Sequence, residues 1–142
     1  MGESKGRILA VDYGLKKVGL AITDPDQSIV FPREVLTRIS DENLAENLTR
    51  YILENSIAFL VIGMPFHEDQ TENSMTLHVK KFIGILEKSI SIPVFTQNEN
   101  FTSGEAEMIL EELGMTPAEQ RKHRDVLSAM IILRSFCYNR SP

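Results

Sequence analysis

Three acidic residues, Asp12, Glu99 and Asp125, stand where a chain of 142 residues could assemble phosphoryl chemistry. Asp12 interrupts the apolar run Ile8-Leu9-Ala10-Val11 where a strand should end. Glu99 follows a second short apolar segment, Ile92 to Thr96, through Gln97-Asn98. Asp125 lies on or just before a final apolar helix. A carboxylate at the end of a buried strand is costly unless something neutralises it. Three converging at one sheet edge repel each other, and hard divalent cations resolve that repulsion. Mg2+ takes oxygen ligands and keeps several waters, so a few carboxylates and substrate phosphates suffice. Two such ions can activate a water and stabilise the leaving oxygen in an in-line displacement at phosphorus. Taken singly, each acid has a plainer reading: a hairpin cap for Asp12, a solvated loop residue beside a helix N-terminus for Glu99, a helix-start acid for Asp125. Their joint placement favours the chemical reading.

The elements that must position these acids follow from periodicity. Ile8 to Val11 reads as a strand and Gly14 as the residue that frees a sharp turn. Val18, Leu20 and Ile22 then alternate with Gly19, Ala21 and Thr23 as in a second strand. A third lies within Ser28 to Thr37, with Pro32 pointing to an edge or a bulge. Ser40 caps a helix carrying Asp41 and Glu42 in its first turn and Leu44, Leu48 and Ile52 on one face. Ile57 to Ile62 is continuously apolar, as in a buried parallel strand, and ends at Gly63-Met64-Pro65. Met75, Val79, Phe82, Ile83 and Leu86 mark another helix after a polar loop, Phe66 to Asn73.

Beyond the last strand, Thr102 and Glu105 form a capping box for a helix through Ala106, Ile109, Leu110 and Leu113 that Gly114 ends. Thr116-Pro117-Ala118-Glu119 starts a further helical turn. The final helix carries Val126, Met130, Leu133 and Cys137 on one stripe and Ser128, Ala129, Ile132 and Phe136 on the next. The order predicts a single α/β domain over 1–142. Its sheet is mixed and five-stranded, a three-strand antiparallel meander plus two parallel strands, with helices on both faces. Sites in such sheets form beyond the carboxyl ends of the parallel strands.

Composition narrows the class. An apolar fraction of 42% excludes a disordered or fibrous chain. A net charge of −5 argues against nonspecific coating of nucleic acid but not against a nuclease, whose ions supply local positive charge. The single cysteine cannot form an internal disulfide and fits a reducing cytoplasm. No apolar run reaches the roughly 18 residues of a membrane span, and the N-terminus lacks a signal-peptide h-region. Lys16 and Lys17 follow Asp12, and Arg121, Lys122, His123 and Arg124 precede Asp125. Both runs could face phosphates, the alternative being solvated charge. No aromatic array stands beside them to stack single strands.

The chain resembles the YqgF family, small bacterial proteins described both as Holliday-junction resolvases and as pre-16S ribosomal RNA nucleases. Asp12-Tyr13-Gly14-Leu15-Lys16-Lys17-Val18-Gly19-Leu20-Ala21 is similar to the family's Asp-x-Gly-x-Lys-Arg-x-Gly-x-Ala. Val61-Ile62-Gly63-Met64-Pro65 resembles its second motif, and Asn98-Glu99-Asn100-Phe101-Thr102 stands where it usually shows Asp-Glu-Arg-Leu-Thr. Asp125-Val126-Leu127-Ser128-Ala129 matches its final Asp-x-x-Ala-Ala. The resemblance implies a ribonuclease H-like fold, with Asp12, Glu99 and Asp125 as catalytic acids binding Mg2+ or Mn2+, as two ions. Asn98 and Asn100 replace an Asp and an Arg, and Lys17 replaces an Arg, keeping charge without a bidentate fork.

Lys16, Lys17, Asn100, Thr102 and Arg124 are the expected substrate contacts. The substrate is nucleic acid, RNA favoured over a DNA junction, cut by a cytoplasmic monomer or homodimer. Two alternatives are a noncatalytic RNA or ribosome-assembly binder and a nucleotide-binding switch. The Asp-x-Gly turn also occurs in two-domain ATPases, for which this chain is short.

Overall fold

The computed structural model describes residues 5–140. The start of the chain, 1–4, where no targeting signal is read, and residues 141–142 lie outside the described residues. Five strands, β1 (Arg7–Asp12), β2 (Lys17–Thr23), β3 (Val30–Thr37), β4 (Ile57–Met64) and β5 (Val94–Asn98), form one sheet in the order β3-β2-β1-β4-β5. β1, β2 and β3 pair antiparallel, and β4 lies parallel between β1 and β5. This is the expected meander with two parallel additions. Pro32 sits on edge strand β3, opposite Ala21, beside a register shift between Gly19 and Ala21. A residue that cannot donate to the ladder is tolerated at such a place.

The sheet is covered on both faces. Leu9, Val11, Leu20 and Ile62 face the helices α1 (Asp41–Glu54) and α2 (Ser74–Glu87), where Leu44, Leu48, Val79 and Phe82 complete one core. Ile8, Ala10, Ala21 and Val61 face α5 (Leu127–Arg140), where Ala129, Met130, Ile132 and Leu133 complete the other. Two-sided burial is why β1 and β4 read as continuous apolar runs.

Local signals end the elements as expected. Ser40 caps α1 by accepting from the Asn43 N–H (3.0 Å). Thr102 and Glu105 box the start of α3 (Ser103–Glu112), and Thr116 and Glu119 that of α4 (Pro117–Lys122). Gly114 follows α3 with φ +70°, a conformation that favours glycine. A further capping box joins Asn73, the last residue of the polar loop, and Thr76 in the first turn of α2. The buried Thr76 hydroxyl also donates to the Pro65 carbonyl, holding the start of α2 against the end of β4. α3 packs loosely. Its apolar residues recur at helical spacing, yet none is fully buried, and the helix leans on α5 from outside.

The carboxyl ends of β1, β4 and β5 therefore share one edge, with the start of β2. A short 3-10 helix, Arg124–Val126, reaches the same edge just before α5.

Candidate active site

Asp12 and Glu99 meet at this edge. Asp12 shares its side of β1 with Ile8 and Ala10, which puts its carboxylate on the α5 face of the sheet. Glu99 lies just past β5, its N–H donating to the Met64 carbonyl (3.2 Å), which keeps it in the line of the sheet. Between the two strands, β4 ends in Ile62-Gly63-Met64. A Cβ built on Gly63 would lie 2.7 Å from Glu99 Oε2 and 2.4 Å from Ile132 Cδ1. The absent side chain of Gly63 is the space that the Glu99 carboxylate occupies.

The two carboxyl groups are half-buried and hydrogen-bonded to one another. Burial pushes both pKa values up. Glu99 rises to about 7, from burial first, then from the charge of Asp12 and the hydrogen bond to it. That hydrogen bond opposes the rise at Asp12, so the shared proton rests on Glu99. A pair that holds a proton near neutrality for want of a counter-charge suits a hard cation, which would replace that proton.

Asp125 is brought to the same edge but not into this pair. It lies in the 3-10 helix and is exposed. Its backbone approaches closely: a Cβ on Gly19, the residue paired with Asp12, would lie 3.0 Å from the Asp125 carbonyl oxygen. No cluster of three acidic, His or Cys side chains is preassembled among the described residues.

Lys16 is exposed in the connection that leaves Asp12, Lys17 is exposed at the start of β2, and Arg124 is exposed beside Asp125. The Thr102 hydroxyl accepts from the Glu105 N–H (3.1 Å) as the cap of α3. Asn100 is employed differently from the expected substrate contact. Its amide accepts from the Phe66 N–H (3.1 Å) and donates to the carbonyls of Phe66 (2.7 Å) and His67 (3.2 Å). Asn98 accepts from the Asn100 N–H (2.7 Å) and donates to Gln70 Oε1 (2.5 Å). The two asparagines thus clasp the loop after β4 to the loop after β5, with Glu99 between them.

One buried network escaped the sequence. Asp41, read there as a first-turn helix acid, is buried and accepts at Oδ1 from the Tyr13 hydroxyl (2.7 Å) and from Arg38 Nε (2.8 Å). Arg38 also donates through Nη1 to the Leu15 carbonyl (3.2 Å), and its backbone N–H to that of Lys16 (2.9 Å). The turn that follows Asp12 is therefore anchored to α1 and β3. Burial and the bond to Asp41 push the Tyr13 phenol to about 12. The available sequence signal was the neighbourhood itself: an aromatic hydroxyl directly after the strand-end acid.

The family described as RuvX, Holliday junction resolvase, matches residues 6–139. The chain belongs to this family. A RuvX relative from Maridesulfovibrio salexigens, named "Putative pre-16S rRNA nuclease", is 33% identical over 130 residues, covering 92% of this chain and 96% of its own. A relative of the same name from Koribacter versatilis is 34% identical over 135 residues, covering 95% and 88%. Among solved structures, Thermus thermophilus RuvC in complex with a Holliday junction substrate superposes with a TM-score of 0.61 at 15% identity, covering 95% of each chain. The fowlpox virus resolvase bound to Holliday junction DNA gives 0.59 at 13% identity, covering 94% and 97%. At such identities the likeness speaks for the fold, which is ribonuclease H-like as expected. Membership of the RuvX family bears out the nuclease reading and the hydrolase class. Among the described residues, no helix is long and apolar enough to cross a membrane.

Proposed function

We propose that this RuvX protein hydrolyses phosphodiester bonds in structured RNA, with the precursor of 16S ribosomal RNA as its substrate, in the cytoplasm. The observation that carries the reading is the meeting of Asp12 and Glu99 at the carboxyl edge of the sheet, in the space that Gly63 leaves open for the Glu99 carboxylate. Two carboxyl groups held half-buried against each other suit a ligand that brings positive charge. Asp12 and Glu99 would hold the metal, and Asp125 would complete the set from the 3-10 helix. Mg2+ or Mn2+, as two ions, supplies neutralisation of the phosphate and an activated water when bound.

The chain's own groups do the rest. Lys16 and Lys17, which follow Asp12 in the chain, and Arg124, which precedes Asp125, would hold the flanking phosphates, Lys as point charges and Arg with a planar fork. Thr102 offers its hydroxyl at the start of α3. Asn100 acts through the backbone it holds, keeping Glu99 opposite Asp12. The names of the relatives support RNA, while the description of the family supports the second reading, a resolvase of DNA junctions. A resolvase cuts two strands symmetrically and requires a dimer, whereas RNA trimming is open to a monomer.

Cleavage of a labelled panel by pure protein with Mg2+ or Mn2+ tests the assignment. The panel holds a precursor 16S fragment, single-stranded RNA and a four-way DNA junction, with Asp12→Asn protein alongside. Metal-dependent cutting of the RNA that Asp12→Asn loses is the expected result. Preference for the junction transfers the assignment to the resolvase, and full activity in Asp12→Asn overturns the site.

A further inference from the structure

A cavity of about 200 Å³ opens beside Glu99, between the loop after β5 and the first turns of α5. Its walls are Phe101, Ala106, Ser128, Ile131 and Ile132, with the Glu99 side chain at its border. The Phe101 N–H donates to the Glu99 carbonyl (3.0 Å), which holds the two residues in one tight backbone turn. Ile132 is almost wholly buried and Ser128 is exposed, so the floor is closed and the mouth faces solvent.

Apart from Glu99, no charged side chain among the described residues lines the cavity. The lining is mixed: four of the five wall residues carry apolar side chains, and Ser128 and Glu99 contribute polar surface, as a flat ring with polar edges requires. Apolar side chains beside acids that would hold divalent cations suit a ligand with an apolar planar part joined to an anionic part. Nucleic acid carries that combination at each residue, a base joined through its sugar to a phosphate. Pockets for drug-sized ligands run to roughly 300–1,000 Å³. A cavity of about 200 Å³ is matched to a smaller guest, such as a single ring system.

We propose that this cavity receives one unstacked base of the substrate strand, next to the phosphodiester held at Asp12 and Glu99. The inference rests on the nuclease reading and adds to it a base subsite. The base lies against Phe101 and Ile131. The Ser128 hydroxyl, which makes no hydrogen bond among the described residues, faces the base edge. The outer wall comes from α3, none of whose residues is fully buried, so that wall can shift to admit a guest. Taking a base out of a stack is least costly where it is already unpaired. The cavity therefore directs cutting to phosphates that flank an unpaired nucleotide, in a bulge, a loop or a frayed end.

Methyl NMR of the whole protein in Ca2+ tests the subsite without turnover. Nucleoside 5′-monophosphates are titrated against the Ala106, Ile131 and Ile132 methyl signals, with ribose 5-phosphate as the probe that lacks a base. Saturable shifts with the nucleotides and none with ribose 5-phosphate are expected. Ala106→Phe fills the cavity from α3 and Ser128→Phe from the exposed start of α5. Either should weaken the nucleotide response about tenfold. Equal shifts with ribose 5-phosphate, or no shift with any nucleotide, overturn the subsite. Cleavage is read separately: base-dependent shifts in a protein that cuts nothing would keep the subsite and remove the nuclease.

Discussion

Gly63 lies under the Glu99 carboxylate so closely that a Cβ at position 63 would stand 2.7 Å from Glu99 Oε2. The strand between the two acid-bearing strands is thus shaped for the acid of its neighbour. Gly63→Ala is expected to push Glu99 away from Asp12 and to strike Ile132, whose Cδ1 would be 2.4 Å away. Overpacking of this kind costs about 1–3 kcal/mol. The misplaced carboxylate should lower kcat about 100-fold. Urea denaturation and single-turnover cleavage check the two effects. Wild-type kcat in a folded Gly63→Ala protein would detach Glu99 from the reaction.

The same proton-sharing pair makes metal-free stability depend on pH with a definite sign. Glu99 titrates at about 7 in the folded protein, against an ordinary value of 4.5. A raised pKa means stability that is fully present below the unfolded value and is lost as pH rises through the folded one. In EDTA, the protein should therefore lose on the order of 2–3 kcal/mol between about pH 4.5 and pH 7–8. Glu105 and Glu119, whose capping bonds lower their pKa values, act in the opposite sense and only at more acidic pH. Saturating Mg2+ should restore stability at pH 8 and do little at pH 5, by about 2.7 kcal/mol at 100 times its Kd. Asp12→Asn should make the pH slope shallower without abolishing it, because burial is the larger cause of the Glu99 shift. Denaturation at four pH values, with and without metal, reads all three.

Much of this was legible in the chain because its cause is local. The uninterrupted Ile57–Ile62 run, short and placed after a helix, favours a strand buried on both faces, and the Thr102–Glu105 box needed nothing beyond four residues. Asp12 and Glu99 were visible because an acid at the end of an apolar strand is costly wherever that strand is placed. What stayed hidden depends on residues that meet only in the fold. The burial of Asp41 needs Tyr13 and Arg38 to arrive from other elements. The clasp made by Asn98 and Asn100 needs the loop after β4. The periodicity of α3 shows which face is apolar but not how little of it α5 covers.

The Tyr13–Asp41–Arg38 network supports the site from behind. Tyr13→Phe keeps the ring that stacks on Phe82, with centroids 5.1 Å apart, and removes only the hydroxyl. It should cost about 1–3 kcal/mol, since Asp41 remains buried with one donor fewer. Asp41→Ala strands both Tyr13 and Arg38 and should cost more, about 3–5 kcal/mol. Guanidinium denaturation gives the two values. Amide exchange at residues 13–17 should quicken in both variants, because the turn loses its anchor to α1.

Asn100 offers the sharpest separation between a brace and a phosphate contact. Asn100→Asp keeps the oxygen that accepts from Phe66 N–H, loses both donated bonds, and turns a negative charge toward the carbonyls of Phe66 and His67. If Asn100 braces the loops, this variant should lose about 1–3 kcal/mol and show faster amide exchange across residues 66–71. Its kcat should fall while its affinity for RNA, measured in Ca2+, stays near that of the wild type, because no phosphate contact has been removed. Asn100→Arg carries the charge that a phosphate contact would prefer, but its fork has no acceptor for the Phe66 N–H. As a brace it fails, so Asn100→Arg should be impaired as well. Tighter RNA binding with an undiminished kcat in Asn100→Arg would return position 100 to the substrate.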